Sequence, residues 1–117
     1  LKRAYDTCRI IAQPHFDGAE PQIEQTPLLR ERDWGGFTGR YIPDLKDAVW
    51  PDDIETLEAM KLRGSRFLDH IRKEYAGKTV LAVGHGIINK AIQSVYYNRP
   101  MKDIEPMQNA EMRTLEL

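Results

Sequence analysis

The sequence predicts a single domain of the α/β class, with a mostly parallel sheet covered by helices. Its 117 residues are enough for one domain and too few for two. Apolar stripes at helical spacing alternate along the chain with short apolar runs, which is the pattern of a sheet packed against helices. One of these runs, residues 78–83, leads through a glycine turn directly into another helical stripe. The predicted order of elements is α, β, loop, α, β, α, β.

The first helix is predicted over residues 1–12, where apolar residues recur at spacings of three and four. Pro14 and Gly18 are expected to end it. Residues 23–29 alternate loosely between apolar and polar and include Pro27, which predicts a short strand or an extended approach to a loop. The apolar stripe of the helix consists of Leu1, Ala4, Tyr5, Cys8, Ile11 and Ala12.

A loop and then the longest helix are predicted next. Residues 31–40 hold three glycines and two aromatic residues among charges, a composition typical of a shaped loop. The helix is predicted to start at residues 51–53, where Asp52 can cap it and Glu55 can complete a capping box, and Gly77 ends it. Its continuous apolar face consists of Ile54, Leu57, Met60, Gly64, Phe67, Leu68, Ile71 and Tyr75.

The third helix follows the most strand-like segment of the chain. Residues 78–83 read Lys-Thr-Val-Leu-Ala-Val, which predicts a strand buried on both faces. The turn Gly84-His85-Gly86 comes next, and residues 87–96 then carry apolar residues at helical spacing. Residues 112–117 predict a last short strand.

Composition excludes several classes of protein. Hydrophobic residues make up 41% and charged residues 30%, so a disordered or collagen-like chain does not fit. A net charge of -1 offers no general attraction for nucleic acid or for an anionic membrane, and no apolar run approaches the ~18 residues of a membrane helix. The single cysteine, Cys8, excludes an intramolecular disulfide and fits a reducing compartment, so a cytoplasmic location is expected.

A phosphate site is predicted at the Gly84-His85-Gly86 turn. A helix that starts at the carboxyl end of a strand directs free N–H groups and its positive dipole end toward an anion. His85 adds an imidazole that can charge near neutral pH. Alternatively, the glycines only turn a corner and His85 bonds to a backbone carbonyl. A damaged dinucleotide fingerprint, with Asn89 at the third glycine position and Glu105 as the ribose acid, ranks lower.

Glu31 is a candidate general acid. Beside Trp34 and Phe37 its carboxyl would be partly desolvated, which would raise its pKa. The simpler interpretation of the residue taken alone is a solvated glutamate paired with a neighbouring arginine. Arg3, in the first helical turn, could bind a phosphate with its guanidinium, although taken alone it is more simply a surface charge.

The remaining titratable residues have simpler interpretations. His15 lies in a Pro-His-Phe turn and His70 outside the main apolar stripe of the long helix, so both are predicted to be surface residues. No metal-ligand spacing involves them, and no metal or cofactor is expected. Cys8 is predicted to be part of the core.

Three segments, taken together and in order, resemble the histidine phosphatase superfamily with its phosphoglycerate mutase-like fold. Residues 1–7 are similar to L-x-R-A-x-Q-T, with Asp6 at the Gln position. Residues 29–39 are similar to L-x-E-x-x-x-G-x-x-x-G, and residues 80–86 to V-x-V-x-H-G. The resemblance implies a three-layer α/β/α domain with a mostly parallel sheet.

The resemblance also implies phosphomonoester hydrolysis through a phosphohistidine, on a phosphorylated small molecule. By position, Arg3 and His85 would hold the phosphoryl oxygens, the Gly86 N–H would donate to them, and Glu31 would protonate the leaving oxygen. Less specifically, Arg32 and Asn109 would contact the substrate.

One motif of the family is absent from the sequence. None of His15, His70 and His85 stands in an Arg-His-Gly triplet, whose histidine is the family's nucleophile. We therefore expect a chain that is incomplete at its N-terminus by a strand–helix–strand unit of ~30 or more residues and is inactive alone. Exposed sheet edges would favour a homodimer, an exchange of elements, or pairing with a cleaved N-terminal piece. The alternatives are a phosphoglycerate mutase-type isomerase and a non-catalytic phosphate-binding or interaction module.

Overall fold

The computed structural model describes residues 2–16, 23–35, 54–108 and 111–117. Three α-helices lie in these ranges: α1 (Lys2–Ala12), α2 (Leu57–Glu74) and α3 (Gly86–Tyr97). Short 3-10 turns follow or connect them at Gln13–Phe16, Pro27–Leu29 and Met101–Asp103. Within these ranges, no helix is long and apolar enough to cross a membrane.

The predicted parallel sheet is wrong for the described residues, none of which forms a strand. Residues 78–83 have no regular secondary structure, and Val80 and Leu81 remain 40% and 41% exposed. No backbone hydrogen bond joins residues 79–84 to another part of the described chain. A strand forms only when a neighbouring segment pairs with its N–H and C=O groups. Within the described residues this β-branched run has no such neighbour and forms no strand.

The predicted last strand, residues 112–117, is also wrong, because these residues have no regular secondary structure in the described part of the chain. Side-chain contacts hold this segment against α3 and the core instead. The Tyr96 hydroxyl donates to the Glu116 carbonyl (2.7 Å) and accepts from the Glu116 N–H (3.1 Å). Leu115 packs against the core between the helices.

The core lies between α2 and α3. Gly64 brings the two helices close together, because a Cβ at this position would lie 3.3 Å from the backbone of Ile92. Such a contact is tighter than most side chains allow, so glycine suits this crossing. The buried core side chains are Met60, Phe67 and Leu68 from α2 and Ile88, Ala91 and Ile92 from α3.

The long helix begins later than predicted. Its N-cap is Thr56, whose hydroxyl accepts from the Ala59 N–H at 3.0 Å. Glu55 therefore precedes the helix, and the predicted capping box is wrong; Asp52 lies outside the described residues. The hydroxyl of Thr56 satisfies one of the N–H groups that have no partner within the helix, which makes this residue a good first position.

The helix predicted at the amino-terminal end of the chain is confirmed, whereas the segment that follows it differs from the prediction. In α1, Pro14 lies beyond the last α-helical residue, within the turn Gln13–Phe16. No residue of α1 is buried, so the expected core position of Cys8 is only half-buried. Thr26 has extended backbone angles (φ -138°, ψ 135°), and Pro27 then opens a 3-10 turn capped by the Thr26 hydroxyl, in place of a strand.

Candidate functional site

The candidate site is built around the first turn of α3. His85 is the N-cap of this helix, with extended backbone angles (φ -124°, ψ 167°) and no capping bond from its side chain. The first N–H groups of a helix have no intrahelical partner, so those of Ile87 and Ile88 need an outside acceptor.

Glu31 supplies that acceptor from a distant part of the chain. Its Oε2 accepts from the Ile87 N–H and its Oε1 from the Ile88 N–H, both at 3.1 Å. Oε1 also accepts from the N–H of Arg32 at 3.0 Å. Glu31 is half-buried, so it is not the solvated, arginine-paired glutamate of the simpler interpretation. A carboxylate at this position interacts favourably with the positive end of the helix dipole.

His85 therefore lies close to a carboxylate and is influenced by a second charge. Burial lowers the pKa of His85, the charge of Glu31 opposes that shift, and the charge of Arg3 adds to it. The pKa of His85 is lowered overall, which favours the neutral imidazole. The described part of the chain offers no backbone carbonyl that hydrogen-bonds to this imidazole.

The two glycines of the turn differ in what they permit. A Cβ on Gly84 would lie 2.5 Å from Oδ1 of Asn89, so this glycine leaves room for a neighbouring side chain. Gly86 is exposed, and among the described residues a Cβ there would meet Glu31 Oε2, at 4.0 Å. The close approach at Gly84 is therefore made by the side chain of Asn89.

The side chain of Arg32 is engaged within the loop. Its Nε donates to the Glu55 carbonyl at 2.8 Å, and its guanidinium carbon lies 4.6 Å from the centre of the Trp34 ring. Trp34, expected beside Glu31, is therefore in contact with Arg32. Phe37, the other expected neighbour, lies outside the described residues.

A partly buried ion pair lies beside Glu31, and no sequence motif predicted it. Arg63 on α2 binds Glu55 through Nε–Oε2 (2.7 Å) and Nη2–Oε1 (2.8 Å), and the two side chains are only 18% and 16% exposed. Burial alone would raise the pKa of Glu55, but hydrogen bonds from Arg63 and from the Asp33 N–H outweigh it, so the pKa is lowered. One signal was available: position 63 is three residues after Met60 and four before Phe67, on the apolar face.

A cavity of about 300 Å³ opens next to this ion pair. Charged side chains dominate its wall, and a volume of this order suits a small polar molecule. Glu31 is part of the wall, and its carboxylate also bonds to the first turn of α3. Its lining consists of Pro27, Arg30, Glu31, Asp33, Glu55 and Arg63.

The structure brings some of the predicted site residues together. Glu31 and His85 meet at the start of α3, with Gly86 as its first helical residue. Arg3 is exposed on α1, and its positive charge contributes to lowering the pKa of His85. Asn109 lies outside the described residues. The catalytic and binding roles of these residues, and of Arg32, stay predictions. No group of three His, Cys, Asp or Glu side chains in the described ranges could hold a metal ion.

Comparisons with known proteins give two matches and one negative result. The family model for the histidine phosphatase superfamily (branch 1) matches residues 1–117. The chain is also 29% identical, over 107 residues, to a metal-independent phosphoserine phosphatase of Arabidopsis thaliana. That alignment covers 79% of this chain and 44% of the relative, so the chain spans less than half the length of that relative. No solved structure matches the chain significantly.

Proposed function

Because this chain belongs to the histidine phosphatase superfamily, we propose that it supplies the acid and the phosphate-binding residues of a phosphomonoester hydrolase acting through a phosphohistidine. The family match confirms the resemblance predicted from the three sequence motifs. The observation that supports the proposal is the meeting of Glu31 and His85 at the first turn of α3. These two residues lie in separate segments that the family motifs had singled out.

The proposed reaction has two steps. A nucleophilic imidazole attacks phosphorus, an N–P bond forms, and the P–O bond to the leaving group breaks while Glu31 protonates the leaving oxygen. Water then attacks the phosphohistidine, Glu31 takes a proton from it, and the P–N bond breaks to release phosphate. The nucleophile comes from outside these 117 residues in this proposal, because the Arg-His-Gly triplet does not occur in them.

The observed contacts of Glu31 require a rearrangement during this cycle. Both carboxylate oxygens accept from N–H donors, so Glu31 must leave at least one of them before it can give a proton to the substrate. In the proposal, the phosphoryl oxygens take over the N–H groups of Ile87 and Ile88 when substrate binds. The incoming anion also favours protonation of His85, which then donates to the same oxygens.

The proposed substrate is a small phosphomonoester that carries an amino group. The cavity beside Glu31 is lined by the carboxylate of Asp33 as well as by Arg30, a combination that suits a substrate with both signs of charge. The relative from Arabidopsis thaliana is named a phosphoserine phosphatase, and phosphoserine is therefore the first substrate to test.

Phosphate binding by the 117-residue chain tests the proposed pocket directly. Phosphate or vanadate should raise the melting temperature, because a ligand at about 100 times its Kd stabilises the folded state by roughly 2.7 kcal/mol. His85→Ala should abolish this effect. His70→Ala is the matched control, since His70 pairs with Glu24 (2.9 Å) near the carboxyl end of α2. Equal stabilisation of wild type and His85→Ala would contradict the pocket.

Hydrolysis of p-nitrophenyl phosphate and phosphoserine tests the catalytic role. The chain alone should hydrolyse neither, and the protein that carries the Arg-His-Gly segment should hydrolyse both. Glu31→Gln should then lower kcat by about 10² to 10⁴, the usual contribution of a general acid. Phosphate binding without hydrolysis in any form of the protein would favour a non-catalytic binding module, an alternative supported by the absence of the triplet.

A further inference from the structure

We infer that Arg63 is a positioning residue, which holds the backbone around Glu31 so that its carboxylate reaches the first turn of α3. The inference rests on the proposed role of Glu31 as the acid. Arg63 does not contact the carboxylate of Glu31 in the described hydrogen-bond network. It acts on the chain that leads into this residue.

Arg63 binds the segment immediately before Glu31. Its Nη1 donates to the carbonyls of Pro27 (3.3 Å), Leu28 (3.1 Å) and Arg30 (2.8 Å). Three carbonyls of one turn thus converge on a single guanidinium group. Such a set of contacts defines the path of the backbone up to the residue before Glu31.

Glu55, the ion-pair partner of Arg63, binds the segment immediately after Glu31. Its Oε1 accepts from the Asp33 N–H (3.1 Å), and its own N–H donates to the Asp33 carbonyl (2.7 Å). The Glu55 carbonyl also accepts from Nε of Arg32. The pair therefore holds the chain on both sides of Glu31 without bonding to its carboxylate.

The position of Arg63 is itself tied to α3. The next residue, Gly64, is in close contact with Ile92 in the middle of that helix. The contacts therefore connect three parts of the molecule. Helix α2 packs on α3 at Gly64, Arg63 of α2 binds the segment before Glu31, and Glu31 binds the start of α3. A lysine could neutralise Glu55 but would lack the planar fork that reaches the carboxylate and the carbonyls at once.

Hydrogen exchange at two amides measures this positioning without any enzyme assay. The N–H groups of Ile87 and Ile88 bond to Glu31, so their exchange reports on where its carboxylate lies. In the 117-residue chain, Arg63→Ala should speed exchange at both amides by about tenfold relative to Ile92 in the middle of α3. Glu31→Ala calibrates the largest effect expected.

The matched control is Arg66→Ala, which removes an exposed arginine three residues further along α2 and should leave all of these amides unchanged. Arg63→Lys should give an intermediate effect and serves in its place if Arg63→Ala does not fold. Exchange that rises equally at Ile87, Ile88 and Ile92 would mean general destabilisation and would overturn the inference, as would no change at all.

Kinetics in the protein that carries the nucleophile separate this inference from the proposed function. Arg63→Ala should lower kcat by about tenfold to a hundredfold with little change in KM, because a misplaced acid slows chemistry more than binding. Faster exchange at Ile87 and Ile88 with an unchanged kcat would keep the positioning role and refute Glu31 as the acid. Unchanged exchange together with loss of activity in Glu31→Gln would refute the positioning role alone.

Discussion

The ion pair between Glu55 and Arg63 should contribute far more stability than the exposed pair between Asp69 and Arg72 on α2. Glu55→Gln is the most informative perturbation, because it keeps the size of the side chain and removes its charge. The carboxylate accepts two hydrogen bonds from Arg63 and one from the Asp33 N–H. An amide places an NH₂ group against the guanidinium, so at least one of the two charged bonds is lost.

The magnitude follows from burial. Hydrogen bonds to charged groups contribute about 1.5 to 3 kcal/mol each, and loss of one partner of a buried pair costs about 3 to 5 kcal/mol. Because Glu55 and Arg63 keep 16% and 18% of their exposure, the lower end applies, and we expect a loss of about 2 to 3 kcal/mol. That is a large part of the roughly 5 to 15 kcal/mol that stabilises a typical domain.

Asp69→Asn, on the helix that carries Arg63, provides the matched control. Asp69 also pairs with an arginine, Arg72 (3.3 Å), but the two side chains are 72% and 48% exposed. Exposed pairs contribute only about 0 to 1 kcal/mol, because water and salt screen them. The two substitutions remove the same charge and differ mainly in burial.

Urea denaturation at pH 7 measures both effects, and the expected loss in Glu55→Gln corresponds to a fall of about 1 M or more in the midpoint. A series at lower pH tests the cause. The pKa of Glu55 is lowered in the folded state, so its contribution is complete above the unfolded pKa of about 4.3 and disappears as pH falls through the folded pKa. Equal losses in Glu55→Gln and Asp69→Asn, or a Glu55→Gln loss that does not begin to shrink as pH falls below the unfolded pKa of about 4.3, would refute this reasoning.

Four further predictions concern His85 and the contact between α2 and α3. By NMR, the imidazole of His85 should titrate below about 6.5, and Glu31→Gln should move this pKa lower still, because the Glu31 charge opposes the shift. Since the pKa is lowered in the folded state, His85 should also make stability rise with pH up to about 6.5, a dependence that His85→Ala should remove. Gly64→Ala should destabilise by about 1 kcal/mol in thermal unfolding: a Cβ 3.3 Å from the Ile92 backbone costs roughly 1 to 3 kcal/mol, and the gain in helix propensity offsets about 1 kcal/mol. Met60→Ala, at a fully buried site, should cost about 2 to 5 kcal/mol in the same measurement, and a loss below 1 kcal/mol would mean that this core is loosely packed.

The three helices could be predicted from the sequence, whereas the predicted sheet does not form among the described residues. Helical hydrogen bonds join residues four apart, so a stripe of apolar residues contains most of the information for α1, α2 and α3. The start of α2 was misplaced because Thr56 and Asp52 belong to the same group of capping residues and the pattern alone does not choose between them. Residues 78–83 have strand propensity, but a strand also needs a neighbour that no local pattern can supply.

The sequence by itself determined the helical segments, the family, and the candidacy of Glu31 and His85, because each depends on residue types at short spacing. Only the tertiary structure decided that the Glu31 carboxylate bonds to the N–H groups of Ile87 and Ile88, which lie 56 and 57 residues away. It also decided that Arg63, an arginine without any motif, binds the chain before Glu31. The physical reason is that backbone N–H groups at a helix start and carbonyls in a turn need hydrogen-bond partners from outside their own element. The packing of distant segments decides which side chains become those partners.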